Sequence, residues 1–511
     1  MDPLANAKPP VWLRHGSLAE LPATVRTPAY VPSDLTPGIV HIGLGNFHRA
    51  HQAWYIHQLM QQGQSRDWAI IGAGVRKYDA EMREKLLAQD CLTTLIELDP
   101  NGISAEVIGP MIDYLPIEDG HAALIARMAD PAIRIVSLTV TEGGYFLDVN
   151  TGAFNPDHRD IRHDAENPKE PRTAFGAIVC ALRQRWVNGL KPFTALSCDN
   201  LQGNGAILRS CVVGLARMSD PDLADWIDRN GAFPDSMVDC IVPATTDKVI
   251  SQCSALGVKD RAPVSHENYR QWVIEDDFCA GRPPLDHVGV TLTRDVHSYE
   301  TMKLRILNGG HQLLANVGEI LNVPTISDCM QDPDIAAFFR KVQAEEILPH
   351  VDAVPETSAK EYLGLVERRF SNTAIHDTTR RVAFDGSARH PGFLLPSLRD
   401  ALKSDSPANG LALAEAFWCR MCAGVRENGS EIGPNDPQWE SLQKTALASK
   451  ADPELWLEQR QYCGNFGRGT RFSETFAFWL TAVWQRGSRT AIAEYVAGGS
   501  SSRMVSSSGV I

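Results

Sequence analysis

A lysine, an asparagine and a histidine occur within nine residues of a segment whose apolar pattern predicts a helix. At about 3.6 residues per turn, Asn308 lies about 140° around the helix axis from Lys303 and His311 about 80°, so the three side chains share one flank. Glu300, one turn earlier, joins the same side. An uncharged lysine can accept a proton, an amide can donate a hydrogen bond to a developing alkoxide, and an imidazole can hold a hydroxyl group. This combination favours an enzyme.

The flank by itself leaves two interpretations open. Lys303 can act as a base only if its pKa falls from about 10.4 toward the working pH, through burial or a neighbouring cation such as an oxidised nicotinamide ring. The pair Gly309 and Gly310 costs about 1 kcal/mol per residue inside a helix, so close approach of a ligand or of another chain segment would explain it. Yet a polar face of this composition is also common on ordinary helices.

Composition narrows the class of protein. The chain has 511 residues, 43% hydrophobic content and a net charge of -13, which predicts two large domains and argues against a nucleic-acid partner. No apolar run approaches the roughly 20 residues needed to span a bilayer, and the first residues do not read as a signal peptide. We therefore expect a cytoplasmic protein that binds a small molecule.

The cysteines and histidines do not form a recognisable metal motif. Eleven scattered cysteines suit reduced thiols, and Cys419 and Cys422, which form a CxxC pair, lie in an apolar helical pattern that favours core packing. The spacing of His48 and His51 fits hydrogen bonding better than metal binding. No metal site is predicted.

Strand and helix patterns predict the fold class. Apolar, β-branched runs at residues 39–42, 68–71, 133–140 and 193–197 alternate with helical stretches, which is typical of buried parallel strands in an α/β sheet. After about residue 295 long helices dominate, among them 335–348, 410–423 and 473–486. We expect an extended arm over residues 1–37, an α/β domain over 38–290, a mostly helical domain over 291–496, and a flexible tail over 497–511.

The turn after the first predicted strand carries the sequence Gly43-Leu44-Gly45-Asn46-Phe47-His48-Arg49, followed by a predicted helix over residues 51–61. A dinucleotide pyrophosphate binds at such a strand-to-helix turn, where backbone N–H groups point at the ligand. The third glycine of the usual GxGxxG pattern is replaced by His48, so the pattern alone is weak and an ordinary tight turn is the alternative. We assign these residues to a candidate cofactor site.

An acidic residue follows the second predicted strand. Asp79 can accept hydrogen bonds from adenosine ribose hydroxyls and would repel a 2′-phosphate, which favours NAD over NADP. Arg76 and Lys77 beside it weaken that preference, since a cation at the 2′ position would admit NADP.

With these features placed, the chain resembles the polyol-specific long-chain dehydrogenases, the family of mannitol 2-dehydrogenase and the hexuronate reductases. The resemblance extends from about Gly38 to near the C-terminus. It rests on seven ordered blocks: HIGLGNFHRAHQ at 41–52, TEGGY at 141–145, SCDNLQGNG at 197–205, MVD with IVPATT at 237–246, QWVIEDDF at 271–278, KLRILNGGH at 303–311 and IHDTTRRVAFDGS at 375–387.

The resemblance implies metal-independent hydride transfer between a polyol and NAD, with an N-terminal Rossmann-type domain and a helical C-terminal domain with the substrate between them. By position, Lys303 matches the general base, and Asn200 and Asn308 match the amides that stabilise the alkoxide oxygen. The other matches are of three kinds. Substrate-orienting positions are matched by His311, Arg381 and Asp239, a proton-conducting carboxylate by Glu300, and the NAD-selecting acid by Asp79. Family members are often monomeric, so a monomer is the expectation.

Three positions depart from the family pattern. Cys240 follows Asp239 where the family usually has an arginine, and cysteine cannot form the forked hydrogen bonds of a guanidinium. Gly231 replaces an apolar residue, and Tyr78 stands where mannitol 2-dehydrogenases can carry a second acid.

The resemblance leaves several functions open. The leading hypothesis is an NAD-dependent polyol 2-dehydrogenase, with D-mannitol and D-fructose favoured and D-arabinitol or D-sorbitol close behind. A hexuronate reductase acting on fructuronate or tagaturonate is the alternative, with Arg380, Arg381 or Arg389 as carboxylate ligand. A catalytically silent NAD-binding sensor is the alternative from another class.

Overall fold

The computed structural model describes residues 9–148 and 151–498. The chain divides into two compact units, Met1–His297 and Ser298–Ile511. Residues 1–8 of the predicted arm and 499–511 of the predicted tail lie outside the described part.

The first unit alternates strands with helices. In chain order its elements are β1 (Val11–Trp12), β2 (Val25–Arg26), β3 (Pro37–Ile42), α1 (Asn46–Ala50), α2 (Gln52–Gln61), β4 (Ala69–Ala73), α3 (Asp79–Leu87), β5 (Thr93–Asp99), β6 (Gly102–Ile108), β7 (Met111–Tyr114), α4 (Ala122–Ala129), β8 (Ile135–Leu138), α5 (Arg159–Glu166), α6 (Ala174–Val187), β9 (Thr194–Ser197), α7 (Asn204–Ser219), α8 (Pro221–Asn230), β10 (Ser236–Asp239), α9 (Asp247–Ala255), β11 (Val258–Lys259), β12 (Val264–Glu267), β13 (Gln271–Glu275) and β14 (Thr291–Thr293). Short 3₁₀ helices are His15–Glu20, Pro32–Asp34, Asp119–His121, Glu142–Tyr145 and Leu285–Val288.

A five-stranded parallel sheet lies at the centre of this unit, in the order β7-β4-β3-β8-β9. Four of its strands, β3, β4, β8 and β9, correspond to the four strands that the sequence patterns predicted. The predicted α/β fold is confirmed. Along β3, Ile39 packs into one apolar cluster, whereas Val40 and Ile42 pack into the cluster on the opposite face. Because neighbouring residues in a strand face opposite sides, helices cover both faces of the sheet, as its continuous apolar runs predict.

Smaller sheets complete the unit. One has the order β12-β5-β6-β2, a second the order β10-β13-β14, and β1 pairs with β11. Through β1 and β2, the described part of the predicted arm joins two of these sheets.

The second unit is built from helices. They are the end of α10 (Val296–Met302), a π-helical turn (Lys303–Asn308), α11 (Gly309–Leu321), α12 (Ile326–Gln331), α13 (Pro333–Val342), a second π-helical turn (Gln343–Ile347), α14 (Ala359–Phe370), α15 (Thr379–Val382), α16 (Gly386–Phe393), α17 (Leu395–Lys403), α18 (Asn409–Cys422), α19 (Trp439–Ala448), α20 (Arg460–Cys463), α21 (Arg471–Arg486) and α22 (Ser488–Val496), with 3₁₀ helices Leu348–His350 and Pro453–Glu458.

Helix α18 is the centre of the second unit. It is buried from Gly410 to Cys422 and packs against α11 and α21. A helix that is buried on all sides belongs to a core, and Cys419 and Cys422 are fully buried within it. The predicted packing role of this cysteine pair is confirmed. Across residues 9–148 and 151–498, no helix combines the length and apolar character needed to cross a membrane.

Candidate active site

The glycine turn after β3 has the geometry of a close backbone turn. Gly43 has φ of +89°, and a Cβ at this position would lie 2.2 Å from the Thr139 carbonyl oxygen, so only glycine fits. Gly45 precedes α1, and a Cβ there would meet no atom within 4 Å. Thus Gly43 makes the turn, and Gly45 keeps the surface beside it open to a ligand.

A cleft of about 850 Å³ opens beside this turn, at the carboxyl ends of the parallel strands. Gly43, Gly45 and Asp79 all line it, together with the loop that follows β8. Open α/β sheets bind their ligands at this edge. The structure therefore brings together three of the predicted cofactor residues.

Asp79 begins α3 at the rim of the cleft. Its Oδ2 accepts hydrogen bonds from the N–H groups of Val75 (3.0 Å) and Arg76 (2.9 Å). Gly74 makes room for it, since a Cβ on Gly74 would lie 2.4 Å from that of Asp79. The carboxylate is thus fixed in place by the loop after β4.

Asn46 and Arg49, two of the other predicted cofactor residues, turn away from the cleft. The Arg49 guanidinium is buried and donates to the carbonyls of Gly45 (3.3 Å) and Ala262 and to Asn46 Oδ1 (2.7 Å). Asn46 in turn donates to Thr245 Oγ1 at 2.9 Å. Burial lowers the Arg49 pKa to about 10, so the guanidinium keeps its charge at neutral pH. These side chains hold the glycine turn, and their direct contact with a cofactor stays a prediction.

Phe47 and His48 pack against other rings. Phe47 stacks on His51 with ring centroids 4.8 Å apart, and His48 stacks on His41 at 3.5 Å. His48 is buried beneath the turn, where the usual fingerprint has its third glycine. Here the imidazole fills the space against β3, and its predicted contact with a cofactor likewise stays a prediction.

A hydrogen-bond chain beneath the turn was not foreseen from the sequence. Thr139 Oγ1 donates to the Gly43 carbonyl at 2.7 Å and lies 2.9 Å from His41 Nε2. Because the single hydroxyl proton of Thr139 is used, His41 Nε2 must be the donor of the second bond. Burial lowers the His41 pKa to about 3, so the ring is neutral at neutral pH. The pair fixes the Gly43 peptide.

Asn200 and Asp239 both lie where a strand of this unit ends. Asn200 is exposed and lies three residues after the end of β9. Asp239 is the last residue of β10 and is buried. Asn204 ties the segment after β9 to the start of β10, because its Nδ2 donates to the carbonyls of Asp199 (3.0 Å) and Ser236 (2.8 Å).

Asp199 is a residue that sequence reasoning missed. Its carboxylate accepts from the N–H groups of Val140 (3.1 Å) and Thr141 (2.9 Å) and from the Tyr145 hydroxyl (2.8 Å). It therefore fastens the TEGGY loop, which lines the cleft, to the segment that carries Asn200. Two features of the sequence could have identified Asp199. It stands directly before Asn200 in the SCDNLQGNG block, and the TEGGY block supplies a tyrosine that can donate to it.

In the second unit, Lys303 begins a π-helical turn, and the α-helical geometry predicted for this segment is wrong between Lys303 and Asn308. The Gly309 N–H bonds to the Leu304 carbonyl five residues back. Because the turn closes over five residues, Asn308 stands about one turn beyond Lys303 rather than 140° around the axis. Lys303 and Glu300 are both buried, with 6% and 5% of their surface exposed.

Neighbouring helices explain the π turn and the two glycines after it. Gln343 Nε2 donates to the Ile306 carbonyl inside the turn at 2.8 Å. A Cβ on Gly310 would lie 2.8 Å from that same nitrogen, and a Cβ on Gly309 would lie 3.3 Å from the Phe393 carbonyl. Of the two explanations for the glycine pair, close approach of another chain segment is the one the structure shows.

Asn308 and His311 each present a buried polar atom that has no hydrogen-bond partner among residues 9–148 and 151–498: Asn308 Oδ1 and His311 Nε2. The His311 ring stacks on Phe370 at 4.2 Å. Burial lowers the His311 pKa to about 3, so the ring is neutral at neutral pH. Buried polar atoms without a protein partner are typical of positions that bind a ligand or an ordered water.

Arg381 reaches the same region through a residue that sequence reasoning did not select. Asp377 accepts two hydrogen bonds from Arg381, at 2.6 Å from Nε and 2.7 Å from Nη2, and its Oδ2 lies 3.9 Å from His311 Nε2. The structure thus brings His311 and Arg381 together through Asp377. The Asp-to-Arg spacing of four residues in the IHDTTRR block was the signal that could have found it.

The described part of the chain contains no group of three or more His, Cys, Asp or Glu side chains placed to hold a metal ion. The candidate residues fall into two sets, one in each unit: the cleft, Asn200 and Asp239 in the first, and Glu300, Lys303, Asn308, His311 and Arg381 in the second.

A Rossmann-type unit with a glycine turn at its cleft, followed by a helical unit that carries a buried lysine, defines the chain as an oxidoreductase of the two-domain dehydrogenase class. Residues 37–287 match the mannitol dehydrogenase Rossmann domain and residues 295–484 the mannitol dehydrogenase C-terminal domain. The chain belongs to the mannitol dehydrogenase family.

Relatives and solved structures agree with this assignment. A mannitol 2-dehydrogenase of Cereibacter sphaeroides is 51% identical over 474 residues, covering 93% of this chain and 99% of that protein. The Pseudomonas fluorescens mannitol 2-dehydrogenase, solved as a ternary complex with NAD and D-mannitol, has a TM-score of 0.87 at 37% identity and covers 95% of this chain and 100% of its own. A D-sorbitol dehydrogenase in substrate-free form has a TM-score of 0.85 at 34% identity, with coverages of 94% and 100%.

Proposed function

We propose that this protein is an NAD-dependent polyol 2-dehydrogenase that interconverts a sugar alcohol and its 2-ketose without a metal. D-mannitol and D-fructose are the favoured pair, with D-arabinitol or D-sorbitol as other polyols. The observation that carries the proposal is the 51% identity to a mannitol 2-dehydrogenase over nearly the whole chain. The solved relative that binds NAD and D-mannitol supports both the cofactor and the substrate class.

In this proposal the second unit supplies the acid-base chemistry. Lys303, when neutral, takes the proton of the C2 hydroxyl during polyol oxidation and returns it during ketose reduction. Glu300, buried one turn earlier, exchanges that proton with solvent. The amides of Asn308 and Asn200 donate hydrogen bonds to the oxygen on C2 as negative charge develops there. NAD, when bound, accepts or supplies the hydride.

The cleft of the first unit is the proposed cofactor site. Gly45 and Asp79 line this cleft, and the space beside Gly45 is open, so a pyrophosphate would bind at the turn and an adenosine ribose beside Asp79. The Asp79 carboxylate favours NAD over NADP by repelling a 2′-phosphate, whereas Arg76, which also lines the cleft, opposes that preference.

The arginines of the second unit favour a neutral substrate over a hexuronate. Arg380 donates to the carbonyls of Gly433 (2.8 Å) and Pro434 (2.5 Å). Arg389 donates to the Val382 carbonyl at 2.6 Å, and Arg381 is paired with Asp377. Of the three guanidiniums that could hold a substrate carboxylate, Arg381 is neutralised by a carboxylate, and the other two have N–H groups bound to backbone carbonyls.

Thr139 gives a test of the cofactor site. Replacing Thr139 with valine leaves the Gly43 carbonyl and His41 Nε2 without their shared partner, at a cost of about 1–3 kcal/mol for each buried group. We expect the Kd for NADH to rise about tenfold or more, measured by fluorescence titration. Thr139→Ser keeps the hydroxyl and should bind NADH within about twofold of the parent. Equal NADH affinity in the two variants would show that the chain beneath the turn does not support cofactor binding.

A substrate panel tests the function itself. Oxidation of NADH is followed at neutral pH in the presence of a chelator, with D-fructose, D-xylulose, L-sorbose, D-fructuronate and D-tagaturonate as separate substrates. Rapid turnover of a neutral ketose is expected, and NADPH in place of NADH should be slower. Turnover of only a uronate would support the hexuronate reductase, tight NADH binding with no turnover would support the sensor, and activity restored by zinc would contradict metal independence.

A further inference from the structure

The Asp377 carboxylate pairs with Arg381 and lies 3.9 Å from His311 Nε2, so it contacts two of the proposed substrate residues. Only 5% of its side chain is exposed, compared with 57% for Arg381. Both of its oxygens are used by Arg381, in a forked pair with bonds of 2.6 and 2.7 Å. A pair of this geometry is strong and directional, so Asp377 fixes the guanidinium and also neutralises it.

Positive charge surrounds this pair. Arg381, Arg369 and Arg389 all lie close enough to His311 to lower its pKa, and Asp377 acts in the opposite direction. Arg369 is buried on α14 and Arg389 lies on α16, so the three cations come from different elements. Whatever else these arginines contact, removal of Asp377 would add one net positive charge beside His311.

We propose that Asp377 determines the charge preference of the substrate site: its carboxylate occupies Arg381 and thereby makes the site accept a neutral hydroxylated chain in place of a carboxylate. This proposal rests on the proposed function. A substrate carboxylate would have to displace Asp377 from Arg381 and would be repelled by it at short range. A hydroxyl group can instead bond to the remaining N–H groups of the fixed guanidinium and to His311 Nε2.

D-fructose and D-fructuronate provide a matched pair of substrates, because they differ only in a terminal CH₂OH or carboxylate. The test measures kcat and KM for both with NADH, in the parent and in Asp377→Asn. Asparagine has nearly the same shape but lacks the charge. We expect the ratio of kcat/KM for D-fructuronate to that for D-fructose to rise at least tenfold, mainly through a lower KM for the uronate, and the gain to shrink as salt is added.

Two control variants separate charge from structure. Asp377→Glu keeps the charge and should keep the ratio within about threefold of the parent. Asp332→Asn removes a carboxylate that forks Arg489 in the same way, at 2.7 and 3.2 Å, and has no place in the proposed site. It should leave the ratio unchanged. A ratio that does not rise in a folded Asp377→Asn protein would overturn the proposal.

If Asp377→Asn does not fold, Arg381→Gln gives the converse test. This variant leaves the Asp377 carboxylate without its forked partner. The ratio of kcat/KM for D-fructuronate to that for D-fructose should therefore fall at least tenfold. An unchanged ratio would again overturn the proposal. The two proposals fail differently. A parent that does not reduce D-fructose contradicts the proposed function, whereas a parent that reduces it with a ratio insensitive to residue 377 contradicts only this inference.

Discussion

Replacing Lys303 with alanine is expected to lower kcat for both polyol oxidation and ketose reduction by about 100- to 10,000-fold, the usual contribution of a positioned acid or base. The lysine is buried at the start of the π-helical turn, one turn before Asn308, where a reacting hydroxyl could contact both. The dinucleotide cleft is lined by residues of the first unit, so NADH affinity should stay within about threefold of the parent. Steady-state rates and an NADH titration check both parts.

Lys303→Arg is the control that separates proton transfer from charge. Arginine keeps a cation of similar length but cannot be deprotonated near neutral pH. If Lys303 acts as a base, the arginine variant should lose activity to about the same extent as the alanine variant. An arginine variant within tenfold of the parent would mean that the site needs only positive charge at this position.

The same role fixes the sign of the pH dependence in the parent enzyme. Polyol oxidation needs the neutral lysine, so its rate should rise with pH through an apparent pKa below the value of about 10.4 for free lysine. Burial lowers the His311 pKa to about 3, so His311 stays neutral and does not titrate between pH 5 and 9. The rise should therefore disappear in the residual activity of Lys303→Ala, and a rise that persists there would assign it to another group.

Asn308→Ala is the second large effect, with an expected loss of about 100- to 1,000-fold in kcat, the usual consequence of removing one donor to a developing oxyanion. The side-chain oxygen of Asn308 is buried and has no hydrogen-bond partner among the described residues, so its removal breaks no hydrogen bond of that atom within them. Thermal stability should consequently change much less than activity. Rates with D-fructose and NADH, together with a melting curve, measure the two effects.

Asn308→Asp serves as the control for Asn308→Ala. The carboxylate has the same size but repels negative charge on the substrate oxygen, so this variant should be at least as slow as alanine. If the aspartate variant retained more than about a tenth of the parent rate, Asn308 would not be a donor to the reacting oxygen.

The sequence predicted the sheet well because the signal is local. Each of the runs near residues 39–42, 68–71, 133–140 and 193–197 is apolar and β-branched, and a strand buried on both faces needs little else. The long helices around α18 and α21 were predicted for the same reason, since their apolar periodicity is continuous.

The geometry around Lys303 could not be predicted in this way. A regular helical pattern runs through residues 302–312, and the π turn within it is accompanied by a hydrogen bond from Gln343, which lies 37 residues beyond Ile306. The two glycines signalled a close approach but not which segment approaches. An insertion of this kind depends on tertiary packing, which the spacing of polar residues does not encode.

Supporting residues were missed for a similar reason. Asp199 and Asp377 act on loops and side chains that other blocks contribute, and His41 with Thr139 supports the glycine turn from beneath. The residues proposed to touch ligand carried recognisable chemistry in the sequence. The residues that hold them became visible only when the strands and helices were packed together.

The central claim is hydride transfer to C2 of a neutral ketose, and isotopic transfer measures it most directly. The enzyme is incubated with D-fructose and NADH carrying two deuterium atoms at C4 of the nicotinamide ring, in the presence of a chelator, and the polyol is analysed by mass spectrometry. The account predicts one deuterium per polyol molecule, located at C2, at a rate that Lys303→Ala lowers by about 100- to 10,000-fold. NADH binding without formation of any deuterated polyol from D-fructose, D-xylulose or L-sorbose would contradict it.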